Sequence, residues 1–170
     1  MEEWLNNLLG IESIQDLGWG VWVFAVVLLT LLIRFVALRL LTYIGRQFSR
    51  TENMWDDALY GAARPAISWF ILIMGLAFAA EVTNDYVESS LLSSENIDIV
   101  RQLTVVILAM FFVVRFISLA EASKLESLKS EPPEAGGMDA TTVTALAKLL
   151  RLSAVITAVL IALPTLGIEK

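Results

Sequence analysis

The chain has no cysteine and no histidine. Without cysteine there is no disulfide framework, no thiolate nucleophile and no soft metal ligand. Without histidine there is no imidazole ligand and no ordinary general base near neutral pH. Serine and threonine are plentiful, but neither of the usual activating partners accompanies them, so no nucleophile–base pair can be drawn. Carboxylates fall between the apolar runs without metal-ligand spacing, and no glycine-rich phosphate loop occurs. Charge is also scarce, at 18% of 170 residues. Catalysis, resident cofactors, metal sites and nucleic-acid binding are therefore not expected.

What remains is apolar. Hydrophobic residues make up 57% of the chain and the mean hydropathy is +0.71. This is the composition of an all-α, polytopic membrane protein. A spanning helix needs roughly 20 residues for a hydrocarbon core of about 30 Å. Four stretches qualify: about Leu17–Ile44, Tyr60–Val82, Ile97–Ala120 and Val143–Ile168. The pattern predicts two hairpins, the first over 17–82 and the second over 97–170. Residues 1–16 read as an interfacial segment, with Trp4, Leu5, Leu8, Leu9 and Ile11 opposing Glu2, Glu3, Asn6 and Asn7. The same segment also fits a frayed terminus. Its acidic start, MEEWLNNLLG, does not resemble the cationic region of a signal peptide.

The charges give an orientation. Of the 12 Lys and Arg residues, all but Arg101 and Lys170 lie in, or lean toward, the connections after the first and third spans. Glu2, Glu3, Glu12, Asp16, Glu81, Asp85, Glu88, Glu95 and Asp98 crowd the opposite side. The positive-inside rule places both connections in the cytoplasm and both ends of the sequence outside. Trp19 and Trp22 then mark the outer interface, and Tyr43, Trp55 and Tyr60 the inner one.

The inner connections carry the candidate functional residues. In GRQFSRTENMWDDALYGAARP, Thr51 or Asn53 can cap a helix that continues through Trp55 to Ala63, with Pro65 as a kink or the entry to the span. Trp55, Asp56, Asp57 and Pro65 form a candidate elbow. The two aspartates can pair with Arg46, Arg50 and Arg64, or simply complement a helix N-terminus. In EASKLESLKSEPPEAGG, an amphipathic continuation of the third span breaks at Pro132–Pro133. Gly136 and Gly137 follow as a hinge, and Asp139 as the N-cap of the fourth helix. Arg115, Lys148 and Arg151 form a cationic collar suited to lipid phosphates of the inner leaflet. Plain snorkelling is the simpler reading of the same residues. Gly18, Gly20, Gly75 and Gly167 are candidates for close helix contact.

The segment MDATTVTALAKLLR…LIALPTLGI resembles the second core transmembrane helix of the small-conductance mechanosensitive channel (MscS) family. The elbow pattern T-E-N-x-W-D-D-x-L followed by Pro resembles that of relatives with extra helices before the core. The resemblance is closest over Gly136–Ile168 and weak over residues 1–50. It implies that the second hairpin is the tension-sensing pair and the first the extra pair. It further implies a bacterial inner membrane, lipid as the principal partner and a homo-oligomer, heptameric in the family. A pore-lining helix rich in Gly and Ala, and a soluble vestibule, would follow; neither is contained in the 170 residues. Asp139 would match an acid at the family's inner hinge. The alternative from another class is a four-span scaffold or assembly subunit that binds another membrane protein.

Overall fold

The computed structural model describes residues 14–48, 54–84, 94–130 and 139–166. They form four α-helices: α1 (Ile14–Phe48), α2 (Met54–Asn84), α3 (Ser94–Ser130) and α4 (Ala140–Thr165). Among the described residues there is no strand. All four helices are long and apolar enough to cross a membrane, over Gly20–Gly45, Trp55–Asn84, Glu95–Lys129 and Ala140–Thr165. The fold is that of a multi-pass, all-helical membrane protein. The proposed interfacial segment falls almost entirely on residues 1–13, outside the described residues, as do Thr51, Asn53, Pro132, Pro133, Gly136, Gly137 and Gly167.

The helices outrun the apolar spans. α2 begins at Met54 and α3 continues to Ser130, in line with the helix expected through Trp55–Ala63 and the amphipathic continuation expected after the third span. Hydropathy marks where a helix leaves hydrocarbon, not where its hydrogen bonds stop. Beyond that level an amphipathic sequence keeps the helix going. Pro65, read as a kink or the entry to the span, lies inside α2, just before the apolar run that starts at Ala66.

Each helix packs on its neighbour in sequence: α1 on α2, α2 on α3 and α3 on α4. Adjacent helices run antiparallel. Gly45 meets Tyr60 and Thr30 meets Gly75, so 15 residues forward on α1 match 15 backward on α2. Gly61 meets Leu119 while Glu81 meets Arg101, which reverses α3 against α2. Arg151 reaches Ser118 and Glu121, and Pro164 to Leu166 lie beside Glu95, Asp98 and Gln102, which reverses α4 against α3.

Large side chains point outward and small ones inward. Trp22, Phe24, Phe35, Leu149 and Leu160 are more than half exposed, as lipid-facing residues of a membrane protein would be. The buried positions are mostly alanine: Ala58, Ala62 and Ala66 at four-residue spacing on α2, then Ala77 and Ala79. On α4 the buried residues are Val143, Ala147 and Ala158. Lipid tails are as apolar as leucine, so membrane helices gain little by burying large side chains against each other. Close backbone approach and van der Waals fit decide the seam instead.

Candidate functional site

The half of the bundle that holds the start of α2, the end of α3 and the start of α4 concentrates the polar interactions between helices. Arg151 lies on the face of α4 that carries Val143, Ala147 and Ala158. Its Nε donates to its own helix at Ala147 O (3.2 Å). Nη1 donates to Ser118 Oγ (3.4 Å) and Nη2 to Glu121 Oε2 (2.5 Å), both on α3. The pair is substantially withdrawn from the surface, with 30% of the Arg151 side chain and 13% of Glu121 exposed. In so apolar a setting the guanidinium and carboxylate compensate each other's desolvation, and either alone would be costly. Arg151 is therefore a latch between α3 and α4.

Arg115 holds the next seam. Proline has no N–H, so Pro65 leaves the carbonyl four residues earlier without its helical donor. That carbonyl belongs to Gly61. Arg115 Nε, on α3, donates to Gly61 O at 3.1 Å. A neighbouring helix thus satisfies the backbone group that Pro65 orphans, as the hydrocarbon environment requires. Gly61 also lets the helices close up, since a Cβ there would stand 2.8 Å from Leu119 Cδ1. The Arg115 guanidinium lies 6.0 Å from the Phe111 ring centroid, within cation–π range.

The sequence-predicted residues fall in three groups. Trp55 joins the site: its ring packs at 6.1 Å from that of Phe116 on α3, so the elbow touches the third helix as well as introducing the second. Asp56 and Asp57 lie in the first turn of α2, where their charge complements the helix N-terminus. Lys148 is exposed, one turn before Arg151. Asp139 occupies the N-cap of α4 with extended backbone (φ −64°, ψ 148°), and its carbonyl accepts from Val143 N at 3.1 Å. Its side chain makes no capping hydrogen bond, unlike the usual N-cap aspartate. Gly136 and Gly137 lie outside the described residues.

Sequence reasoning missed Glu121 and Glu81 as partners. Glu81 on α2 pairs with Arg101 on α3, and Arg101 also meets Asp98 on its own helix at 3.5 Å. This pair closes the α2–α3 seam where α2 ends and α3 begins, as Arg115 closes it toward the start of α2. Near the latch, a groove of about 360 Å³ opens between the start of α2, the C-terminal part of α3 and the start of α4. Trp55, Phe116, Val143 and Leu150 line it, with Glu121 and Lys124 at its polar edge. Among the described residues, no group of three or more acids could hold a metal ion. In comparisons with known proteins, no family model, no curated protein and no solved structure matches the chain.

Proposed function

We propose that the four helices form the membrane-tension-sensing domain of a mechanosensitive channel that serves osmotic protection. In this reading α1 and α2 are one hairpin and α3 and α4 the other, and the second hairpin passes bilayer tension to a pore-lining helix. The observation that carries the proposal is the α3–α4 seam. It is short of large interlocking side chains, is held at the inner end by the Arg151–Glu121 latch, and opens beside that latch into an apolar groove. Such a seam can take two arrangements that meet the surrounding lipid differently, which is what a ligand in the form of a bilayer requires. The MDATT…LGI resemblance to the MscS family supports the same reading. Lys148 and Arg115 are exposed and offer cations to inner-leaflet phosphates.

The accompanying assignments are a bacterial inner membrane, both ends of the sequence on the outer side, a homo-oligomeric assembly with lipid as its partner, and no enzymatic activity. Single cysteines replacing Glu95 and Lys129 test the orientation on an otherwise cysteine-free chain. An impermeant thiol reagent added to intact cells labels position 95 and spares position 129; the reverse pattern overturns the topology. The function is tested by suction on patched liposomes holding the full-length protein. Openings that track tension support it. A protein that ignores tension and instead co-purifies in fixed ratio with another membrane protein establishes the scaffold reading.

A further inference from the structure

Arg34 is a cation within the first span that the chain leaves without an anion. The register that pairs Thr30 with Gly75 and Gly45 with Tyr60 sets its backbone level with Ile71 on α2. The side chain leans toward the start of α2, where Nε donates to Ser68 Oγ at 2.9 Å. Among the described residues Arg34 makes no ion pair, and its Nη1 and Nη2 donate to none of them. Other arginines that reach across a seam are better matched. Arg101 and Arg151 meet carboxylates, and Arg115 meets a backbone carbonyl.

The guanidinium lies deep. On α2, the level of Gly61, where Arg115 donates, and that of Glu81, where Arg101 pairs, are about 30 Å apart by helix rise. That is the thickness of an ordinary hydrocarbon core. Ser68 stands about 10 Å from the first level and about 20 Å from the second. Snorkelling does not account for this position. The side chain has already leaned about 4.5 Å toward the Gly61 level, and it stops about 10 Å short, bonded to Ser68. A lipid phosphate at the Gly61 level is out of its reach, and the exposed Arg39 and Arg64 lie nearer to one. A second copy of the chain brings no anion either. Every Asp and Glu of the sequence falls outside residues 17–51, 58–80, 99–120 and 140–168, so none shares the depth of Ser68.

We infer that Arg34 is the docking point for a transmembrane helix outside these four, one that carries an Asp or Glu carboxylate at the depth of Ser68. A charge at this depth is expensive alone, and ionisable groups in membrane interiors pair with one another. The carboxylate takes the Nη1–Nη2 fork while Nε keeps Ser68, giving a charge-assisted bidentate pair. Access is open, because α1 packs on α2 at one end of the helix order and both helices expose large apolar side chains. Trp69, next to Ser68, is 54% exposed and offers the arriving helix an aromatic surface at the same depth. The inference concerns the α1–α2 pair and holds whether or not the domain reports tension.

The test uses the intact chain in phosphatidylcholine liposomes with synthetic Leu–Ala transmembrane peptides of about 24 residues. One peptide carries Glu roughly 10 Å inside the hydrocarbon, and its control carries Gln at that position. Each bears a dansyl group, and energy transfer from the chain's own tryptophans reads binding. The Glu peptide should bind roughly tenfold more tightly than the Gln peptide. That preference should vanish in Arg34→Gln and persist in Arg64→Gln. Equal binding of the two peptides, or a Glu preference that survives Arg34→Gln, overturns the inference. Loss of the preference when phosphatidylglycerol replaces part of the phosphatidylcholine assigns the fork to lipid phosphate and overturns it too. The chain alone gives a second reading. Arg34→Leu removes an uncompensated charge, so the unfolding midpoint in mixed micelles should rise. A fall would show that the guanidinium is satisfied within the chain, which contradicts the inference.

Discussion

The seam between α1 and α2 and the seam between α3 and α4 are built on different principles. The first is a steric fit. A Cβ at Gly75 would run into the Thr30 side chain, which is itself fixed by a hydrogen bond to Val26 O (2.8 Å). A Cβ at Gly45 would stand 2.6 Å from the Tyr60 ring. These contacts have one arrangement: the helices are either at this distance or apart. The second seam is a polar latch on an alanine stripe, with the groove beside it. Ion pairs and small side chains tolerate sliding and tilting better than a glycine filled by a neighbour. Under the proposed function, the first pair would act as a rigid paddle and the second as a moving joint, with α2–α3 fastened at both ends by Glu81–Arg101 and Gly61–Arg115.

The largest effect is expected where the fit is tightest. Gly75→Leu should force α1 and α2 apart and destabilise the fold by about 3 kcal/mol, the upper part of the overpacking range. Unfolding in mixed micelles followed by tryptophan fluorescence measures it; an unchanged midpoint would mean the two helices are not closely apposed. Next comes the latch. Glu121→Ala leaves Arg151 without its carboxylate, and the expected loss is about 2 kcal/mol, less than for a fully buried pair because Arg151 retains some exposure. The double variant Glu121→Ala/Arg151→Ala should recover part of that loss, whereas additive losses would show that the two residues are not coupled.

Pro65→Ala should have a smaller and more specific effect. The N–H restored at position 65 competes with Arg115 for the Gly61 carbonyl, so a net change below about 1 kcal/mol is expected. Its signature is hydrogen exchange: the amide at position 65 becomes protected while α3 near Arg115 loosens, and unchanged exchange in α3 would rule out the orphan-carbonyl account. The smallest effect belongs to Asp139→Ala. An N-cap aspartate usually contributes about 1 kcal/mol, but this one makes no side-chain bond, so a loss of a few tenths is expected. A loss of the usual size would mean that the carboxylate caps the helix in the membrane.

The four spans were legible in the sequence because apolar runs of membrane length have few alternatives. Hydropathy is silent on the stretches beyond them, but the capping residues before Trp55 and the amphipathic pattern after Ala120 made the continuations of α2 and α3 legible too. Pro65 reads as a kink or the entry to the span, but the donor that serves the carbonyl it leaves free is Arg115, 54 positions from Gly61. No local pattern contains that information. The same holds for glycine. Gly18 and Gly20, read as contact residues, have no neighbour within 4 Å of a would-be Cβ, whereas Gly45 and Gly61, not singled out, sit at tight seams. On helices apolar all round, the buried face cannot be told from the lipid face by hydropathy. The alanine spacing Ala58, Ala62, Ala66 is the signal that could have found it. Arg115 and Arg151 were recognised as an inner collar, but their acceptors lie on neighbouring helices and depended on the register between them.

The central claim is that tension moves the α3–α4 joint and leaves the α1–α2 paddle intact. Because the chain lacks cysteine, spin-label pairs can be placed at will. Leu28 with Leu76 reports on the first seam and Ile107 with Leu160 on the second, all four being lipid-exposed positions. Distances are measured by pulsed electron paramagnetic resonance in liposomes before and after lysophosphatidylcholine is added to one leaflet. A shifted distance distribution is predicted for 107–160 and an unchanged one for 28–76. A 107–160 distance that stays fixed, or a 28–76 distance that moves as much, would contradict the claim.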